Sequence, residues 1–379
     1  LYYIEYMNLT PVTLSIPIFI LLIMLELSYE WWTKKHTYRF KDAIANILAG
    51  VLQQVLKLVV KIGAYSFVFN WFHLVDIPVN IWTGLLLVVL YDFCYYWRHR
   101  MAHEVSLFWG AHVVHHQSED FNLSVALRQS STSFLWSIPF FLPLAIIGFD
   151  PMQVAFIAGL NLIYQFWIHT EHIRLMPAWF EAVMNTPSHH RVHHGKDPKY
   201  IDKNHAGMFI VWDKLFGTFQ AEEEQVNYGV TIPAATWNPI YANFKHYWYI
   251  LKTLAQVRSV GDGFRVVFGK PGWQPDYLGG SITPQAVDSG YQKFNAGIST
   301  VKAQVYVSVQ FILLLICTTF LLFNFKVMDY DIAVWLLAWI VWTCLMLGLI
   351  LEGKTKWIIR LLEVLRMAAL VWILINSGI

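Results

Sequence analysis

Charge is what this 379-residue chain has least of: 14% Asp, Glu, Lys and Arg, against about 25% in ordinary soluble domains. Hydrophobic residues make up 56% and the mean hydropathy is +0.44, so much of the surface must face something less polar than water. The net charge of +2 comes with no basic run, and this excludes a nucleic-acid partner. Cysteine is equally scarce. Cys94, Cys317 and Cys344 all lie in apolar segments and read as buried small hydrophobes, with no disulfide framework or thiolate metal site. The first ten residues have no basic stretch ahead of the apolar run that follows, so that run is expected to insert and stay rather than be cleaved. Internal repeats and low-complexity tracts are absent.

Histidine, by contrast, is concentrated. Twelve of the 15 fall between His99 and His205. His99 and His103 are four apart; His112, His115 and His116 form H-x-x-H-H; His190, His193 and His194 repeat it in HHRVHH, preceded by His189; His169 and His172 lie between. Residues three or four apart share one helical face, so these imidazoles can converge. Imidazole suits iron, zinc, copper and nickel, and one ion needs only three or four protein ligands. Eight or more clustered imidazoles therefore predict two metals. The H-E-x-x-H string of zinc hydrolases is missing. Glu104, directly after His103, reads as an orienting acid or an ordinary surface one. A pH-sensing or merely cationic surface does not account for the repeated H-x-x-H-H.

Apolar runs surround this constellation. A bilayer-spanning helix takes about 20 apolar residues, and candidates occur at Val12–Trp32, Ala43–Phe72, Ile81–Trp97, Val305–Phe323, Ile332–Leu351 and Trp357–Ile375. The second contains Gln53, Gln54, Lys57 and Lys61. Phe134–Phe149 and Met152–Ile168, parted by Asp150-Pro151, read as a helical hairpin returning the chain to the side it left. Lys34 to Lys41, Arg98, Arg100, Arg174, Arg191, Lys354 and Lys356 fall on one side of this layout. Positive loops mark the cytoplasmic face, so the histidine motifs are expected there. Arg360, Glu363 and Arg366, three apart in the last run, predict an interhelical or interfacial charge network. The expected fold is an all-α polytopic membrane protein with a cytoplasmic, histidine-rich di-metal domain. Its divisions are N-terminal spans over 1–84, the histidine core over 85–219, a polar cytosolic segment over 220–302 and C-terminal spans over 303–379.

The order H-x-x-x-H, H-x-x-H-H, H-x-x-H-H resembles the fatty acid hydroxylase / sterol desaturase superfamily. So do Asp92 in YDFCYYWRHR, ALRQS (Ala126–Ser130), NTPSHHRVHHG (Asn185–Gly195) and DKNHAGMFIVWDKLFGTF (Asp202–Phe219). GKPGW (Gly269–Trp273) and the three C-terminal runs are similar to the branch that cleaves ether lipids. The resemblance implies a non-haem di-iron oxygenase in an endoplasmic-reticulum-type or bacterial inner membrane, acting on a lipid from the bilayer with O2. It implies metal ligation by His99, His103, His112, His115, His116, His190, His193 and His194, with His169 as a further ligand and His189 ligating or supporting. It marks Glu104 as catalytic, leaves His172 to a supporting role, and puts His205 where an aromatic is usual. For the ether-lipid branch it implies hydroxylation of the ether-bearing carbon of an alkylglycerol, then collapse to a fatty aldehyde and a glycerol derivative. Tetrahydrobiopterin is the reductant implied for that branch, in place of cytochrome b5 or ferredoxin-type donors; no haem-, flavin- or pterin-binding segment stands out. The rivals are sterol, fatty acyl or carotenoid hydroxylation or desaturation within the superfamily, a metal transporter or sensor, and a zinc hydrolase. The sequence sets no oligomeric state.

Overall fold

The computed structural model describes residues 11–59, 63–288 and 290–377. Among them there are helices and loops but no β-strand, only two isolated bridges, Met184 with Phe209 and Gly195 with Tyr228. This is the all-α architecture expected.

Helices α1 (Pro11–Thr33), α2 (Phe40–Val59) and α3 (Ala64–Phe72) lead into α4 (Ile81–Glu104). The apolar run expected as one span over Ala43–Phe72 is thus two helices, with Gly63 ahead of the second. An apolar run reports burial or lipid contact, not where a helix breaks. Lys61 lies outside the described residues. Asn80 starts α4 with a reciprocal capping box, its side chain accepting from Trp82 and Thr83 N–H. The helix then runs straight through Trp97, so its apolar part and the His99/His103 pair form one rigid element. The H-x-x-H-H motifs occupy much shorter helices. After α5 (Ser106–Gly110), α6 (Val113–His116) is barely one turn, and α7 (Leu123–Ala126) follows. The expected hairpin is α8 (Ser133–Ile147) and α9 (Pro151–Trp167), the second capped by the Asp150 side chain. Next come α10 (Ala178–Val183), α11 (Pro187–His193), α12 (Val211–Leu215), α13 (Pro239–Leu254) and α14 (Val260–Phe268). The last three are α15 (Val301–Asn324), α16 (Tyr330–Leu351) and α17 (Trp357–Asn376).

Among the described residues three helices are long and apolar enough to cross a membrane: α1 over Ser15–Thr33, α15 and α16. They fit an integral membrane protein. Two apolar cores flank the histidines. In one, α2 packs into the C-terminal bundle, Leu48 and Val55 meeting Val307, Leu314, Ile340 and Leu347. In the other, Leu87 and Tyr91 of α4 pack on Leu144 of α8 and Val154 and Ile157 of α9. The charges expected in the last run do form an interhelical network. Arg366 is fully buried, pairs with Glu363, and donates to Thr343 Oγ1 (3.0 Å) and Gln310 Oε1 (2.6 Å) on the two neighbouring helices. Arg360 lies outside it, exposed on the same helix.

Candidate metal centre

Between the two apolar cores the chain folds its histidines inward. His99, His103, His112, His116 and His193 offer ring nitrogens within 4.8 Å of one another; His115, His169, His190 and His194 form a second such group. All nine are buried. The alternation explains the sorting. On α4 the i,i+4 pair shares a face; around α6, His112 and His116 face the first group while His115 faces the second; on α11, His193 faces the first while His190 and His194 face the second. His169, just past the end of α9, completes the second group. The groups adjoin, because the His116 and His194 rings stack with centroids 4.4 Å apart.

The hydrogen bonds around these rings decide which nitrogen is offered. The Nδ1 of His99 donates to His205 O (2.7 Å), of His115 to Arg128 O (2.9 Å), of His169 to Gln165 O (2.7 Å) and of His193 to Lys203 O (2.9 Å). With the proton fixed on Nδ1, the inward Nε2 is a bare lone pair. Yet His169 Nε2 and His115 Nε2 sit 3.3 Å apart with no proton to share. Further close ring-nitrogen pairs are His99 with His112 (2.8 Å), His116 with His112 (3.0 Å) and His190 with His169 (2.9 Å), the last able to share the His190 proton because His190 Nδ1 has no partner. Nitrogens about 2.0–2.1 Å from one ion stand about 2.9–3.4 Å apart, from right-angled to tetrahedral. The Nε2 atoms of His103, His193 and His194 are buried with no hydrogen-bond partner, a costly arrangement unless a ligand-seeking cation occupies the space. Burial, aided by the neighbouring imidazoles, holds His112, His116, His193 and His194 well below the ordinary histidine range. Burial likewise takes His115 down to about 4. The rings are therefore neutral at pH 7, the state a metal requires. The residues fit the metals expected from the sequence.

A second layer holds these rings. Arg128, inside ALRQS, donates to Val114 O (2.6 Å), Asn46 Oδ1 (3.1 Å) and Gln117 Oε1 (3.0 Å), bracing α6 while its own carbonyl orients His115. Asp92 accepts from the Met208 and Phe209 N–H groups, the Trp212 indole and Asn161. Asp213 accepts from the His205 and Ala206 N–H groups and the Thr218 hydroxyl, and burial pushes its carboxyl up to about 6. The two carboxylates pin the turn whose His205 carbonyl orients His99. Glu26, buried on α1, accepts from Leu123 N (2.9 Å), the Thr170 hydroxyl (2.5 Å) and the Tyr38 hydroxyl, tying that helix to the residue after His169. Glu26 escaped the sequence reading, although a lone acid within an apolar run is a usable signal; Asp213 lies inside the Asp202–Phe219 motif but was not singled out.

Four expected residues lie outside both groups. His189 is buried on α11 with its ring against Phe219, centroids 5.5 Å apart. His205 contributes its carbonyl, while its Nε2 donates to Asp202 O (3.1 Å). His172 sits between Glu30 (3.5 Å) and Glu26 (3.9 Å). Glu104, at the end of α4, accepts from Arg100 Nε (2.8 Å).

Comparison with known proteins agrees with the site. The fatty acid hydroxylase family model matches residues 84–218. The human alkylglycerol monooxygenase is 42% identical over 306 residues, 79% of this chain and 68% of the relative. The zebrafish (Danio rerio) alkylglycerol monooxygenase is 36% identical over 90% of this chain and 77% of its own length. The Xenopus tropicalis protein of the same name is 40% identical over 68% of this chain and 58% of its own length. No solved structure matches. At that identity and coverage, and with the resemblance read from the histidine motifs borne out, this chain belongs to the alkylglycerol monooxygenase family of fatty acid hydroxylase-type proteins.

Proposed function

We propose that this chain is a membrane-bound monooxygenase that hydroxylates the ether-bearing carbon of an alkylglycerol, giving a hemiacetal that collapses to a fatty aldehyde and a glycerol derivative. The observation that carries this reading is the pair of adjoining, buried imidazole groups with bare Nε2 atoms aimed inward. His99, His103, His112, His116 and His193 would hold one ion and His115, His169, His190 and His194 the other. Iron is the metal the family membership favours, and a bound iron pair supplies the activation of dioxygen. The protein's part is to keep the rings neutral, fix their tautomers through backbone carbonyls, and keep water from the reacting carbon. His189 would support α11 from outside, packed on Phe219. Glu104 is a candidate acid at the rim of the site, held by Arg100. The lipid arrives from the bilayer and the electrons from an external donor, for which the resemblance to the ether-lipid branch implies a reduced pterin. The clustering of Lys34 to Lys41, Arg98, Arg100, Lys354 and Lys356 supports a site on the cytoplasmic side of an endoplasmic-reticulum-type or bacterial inner membrane.

The test is direct. Protein purified with iron is given an alkylglycerol under air, with and without tetrahydrobiopterin, and the aldehyde is measured by mass spectrometry. Aldehyde that depends on both oxygen and the pterin supports the assignment. Aldehyde formed equally under nitrogen would sink the oxygenase reading; no aldehyde here, together with a hydroxylated product from a sterol offered in a parallel assay, would move the substrate.

A further inference from the structure

Helices α13 and α14 turn an apolar face outward. On α13 the buried positions are Ala242, Asn243, Ile250 and Thr253, while Tyr241, Phe244, Trp248 and Leu251 form one exposed stripe, each more than half accessible. On α14 only Val266 is buried; Val260, Phe264 and Phe268, four apart, are exposed. Around this stripe stand the exposed Lys252, Arg258, Arg265 and Lys270, against the single acid Asp262. Lys252 lies over Trp248, Arg258 over Tyr277 and Arg265 over Trp273, with centroid distances of 5.5, 4.6 and 4.9 Å.

The position of the pair says what covers it. The start of α13 abuts the C-terminal end of α16, a helix long and apolar enough to span: a Cβ on Gly348 would come 2.6 Å from Asn238 Cα. In its middle, the His246 Nε2 donates to Ser106 O (2.9 Å) at the start of α5, and the Tyr247 ring lies so close to Gly110 that a Cβ there would meet it at 2.6 Å. The Tyr247 hydroxyl pairs with Thr132 Oγ1 (3.0 Å) and accepts from the Trp136 indole (3.3 Å) at the head of α8. Where α14 ends, Gly269 O accepts from Ser106 N (2.8 Å). Sixteen residues of α13 cover about 24 Å. That length reaches sideways across the places where the chain leaves apolar helices. In a spanning protein the ends of apolar helices stand near the boundary between lipid tails and headgroups.

We infer that α13 and α14 lie in the plane of the membrane surface, with Phe244, Trp248, Leu251, Val260, Phe264 and Phe268 among the acyl chains and Lys252, Arg258, Arg265 and Lys270 on anionic headgroups. An aromatic and aliphatic face rimmed by Lys and Arg is the composition of an interfacial helix. The segment expected as polar and cytosolic over 220–302 is therefore membrane-seated between 239 and 270, and Ser106–Gly110, which joins His103 to His112, rests on it.

Depth measurement tests this without reference to activity. Val260→Cys and Phe264→Cys, each in the full chain with Cys94, Cys317 and Cys344 replaced by alanine, are spin-labelled. They are placed in nanodiscs of a phosphatidylcholine–phosphatidylglycerol mixture. Relaxation by oxygen is compared with relaxation by a water-soluble nickel chelate. Glu223→Cys, at an exposed acid, gives the aqueous reference, and Ile312→Cys, exposed on α15, the lipid reference. The oxygen-to-nickel ratio at 260 and 264 is expected several-fold above that at 223 and below that at 312. A ratio equal to that at 223 overturns the proposal. So does a raised ratio accompanied by dipolar broadening between labels that disappears when labelled protein is diluted with unlabelled protein, since a second copy would then be the occupant.

Discussion

Two regions of this molecule bury polar groups among apolar helices, and they handle them in opposite ways. In the C-terminal bundle, Arg366 is enclosed and nearly all its donor capacity is used: Glu363, Thr343 and Gln310 take its N–H groups. In the histidine core, nine buried rings present nitrogens to one another, His115 and His169 with no proton between them, and three Nε2 atoms have no partner at all. A satisfied buried charge is a brace. Unsatisfied, converging lone pairs are a site. The same low dielectric surrounds both, so the difference lies in which groups are left wanting a ligand.

The largest effect should come from taking away one of those lone pairs. His116→Ala or His194→Ala is expected to reduce aldehyde formation to background and to lower metal content. The protein should stay membrane-inserted, because the helices that cross do not depend on those rings. Metal analysis and membrane fractionation check both halves. Full activity in either variant would erase the distinction between the two regions. On the other side, Arg366→Ala leaves the part-buried Glu363 with only the Tyr306 hydroxyl and strips Thr343 and Gln310 of their buried donor, and each buried hydrogen-bonding group left unpaired costs about 1–3 kcal/mol. Thermal unfolding should register that loss while metal content per folded protein is unchanged. The double change Arg366→Met with Glu363→Gln should recover much of it, as expected for a brace.

How much of this could be read beforehand follows the same division. The C-terminal helices were legible nearly to the residue: the runs Val305–Phe323 and Ile332–Leu351 are the apolar parts of α15 (Val301–Asn324) and α16 (Tyr330–Leu351). Lipid contact and bundle packing both demand continuous apolar sequence, so composition carries that information. The histidine spacing likewise announced that the rings converge. It did not say how the rings divide, because His115 and His116 are neighbours in sequence yet face different groups, and that depends on the one-turn α6 being braced by Arg128. Nor did it tell His189 from His190, adjacent on α11 with only the second in a group. The break between α2 and α3 was hidden because both sides of it are apolar.

Acid should separate the regions next. Burial lowers the proton affinity of His99, His112, His116, His169, His190, His193 and His194, and that of His115 to about 4, whereas an unfolded chain binds those protons near pH 6.5. Below pH 6.5 the unfolded state takes up more protons than the folded one, so the stabilising contribution is present above pH 6.5 and is lost as pH falls toward 4. For the metal-free protein, unfolding temperature should decline through that window. Bound metal should delay the decline until the ion is displaced. Helices α15 to α17 contain no histidine. Their amide hydrogen exchange should therefore hardly change over the same range while that of α6 and α11 rises. Loss of protection in both regions together would mean they unfold as one unit.

The smallest effect discriminates within the core itself. Asp213 never reaches a metal-facing nitrogen; it accepts from the His205 and Ala206 N–H groups, and the His205 carbonyl in turn takes the Nδ1 proton of His99. Asp213→Asn keeps the shape but replaces one acceptor oxygen with a donor aimed at another donor. The turn should shift, and His99 lose the bond that fixes its tautomer. Outer partners of this kind are worth on the order of 10–100-fold in metal affinity. Because His99 belongs to the five-histidine group, chelator competition should show one weakened ion and one unchanged ion held by His115, His169, His190 and His194. If both ions weakened equally, the groups would be a single cooperative cage, and the sorting of His115 from His116 would have no energetic meaning.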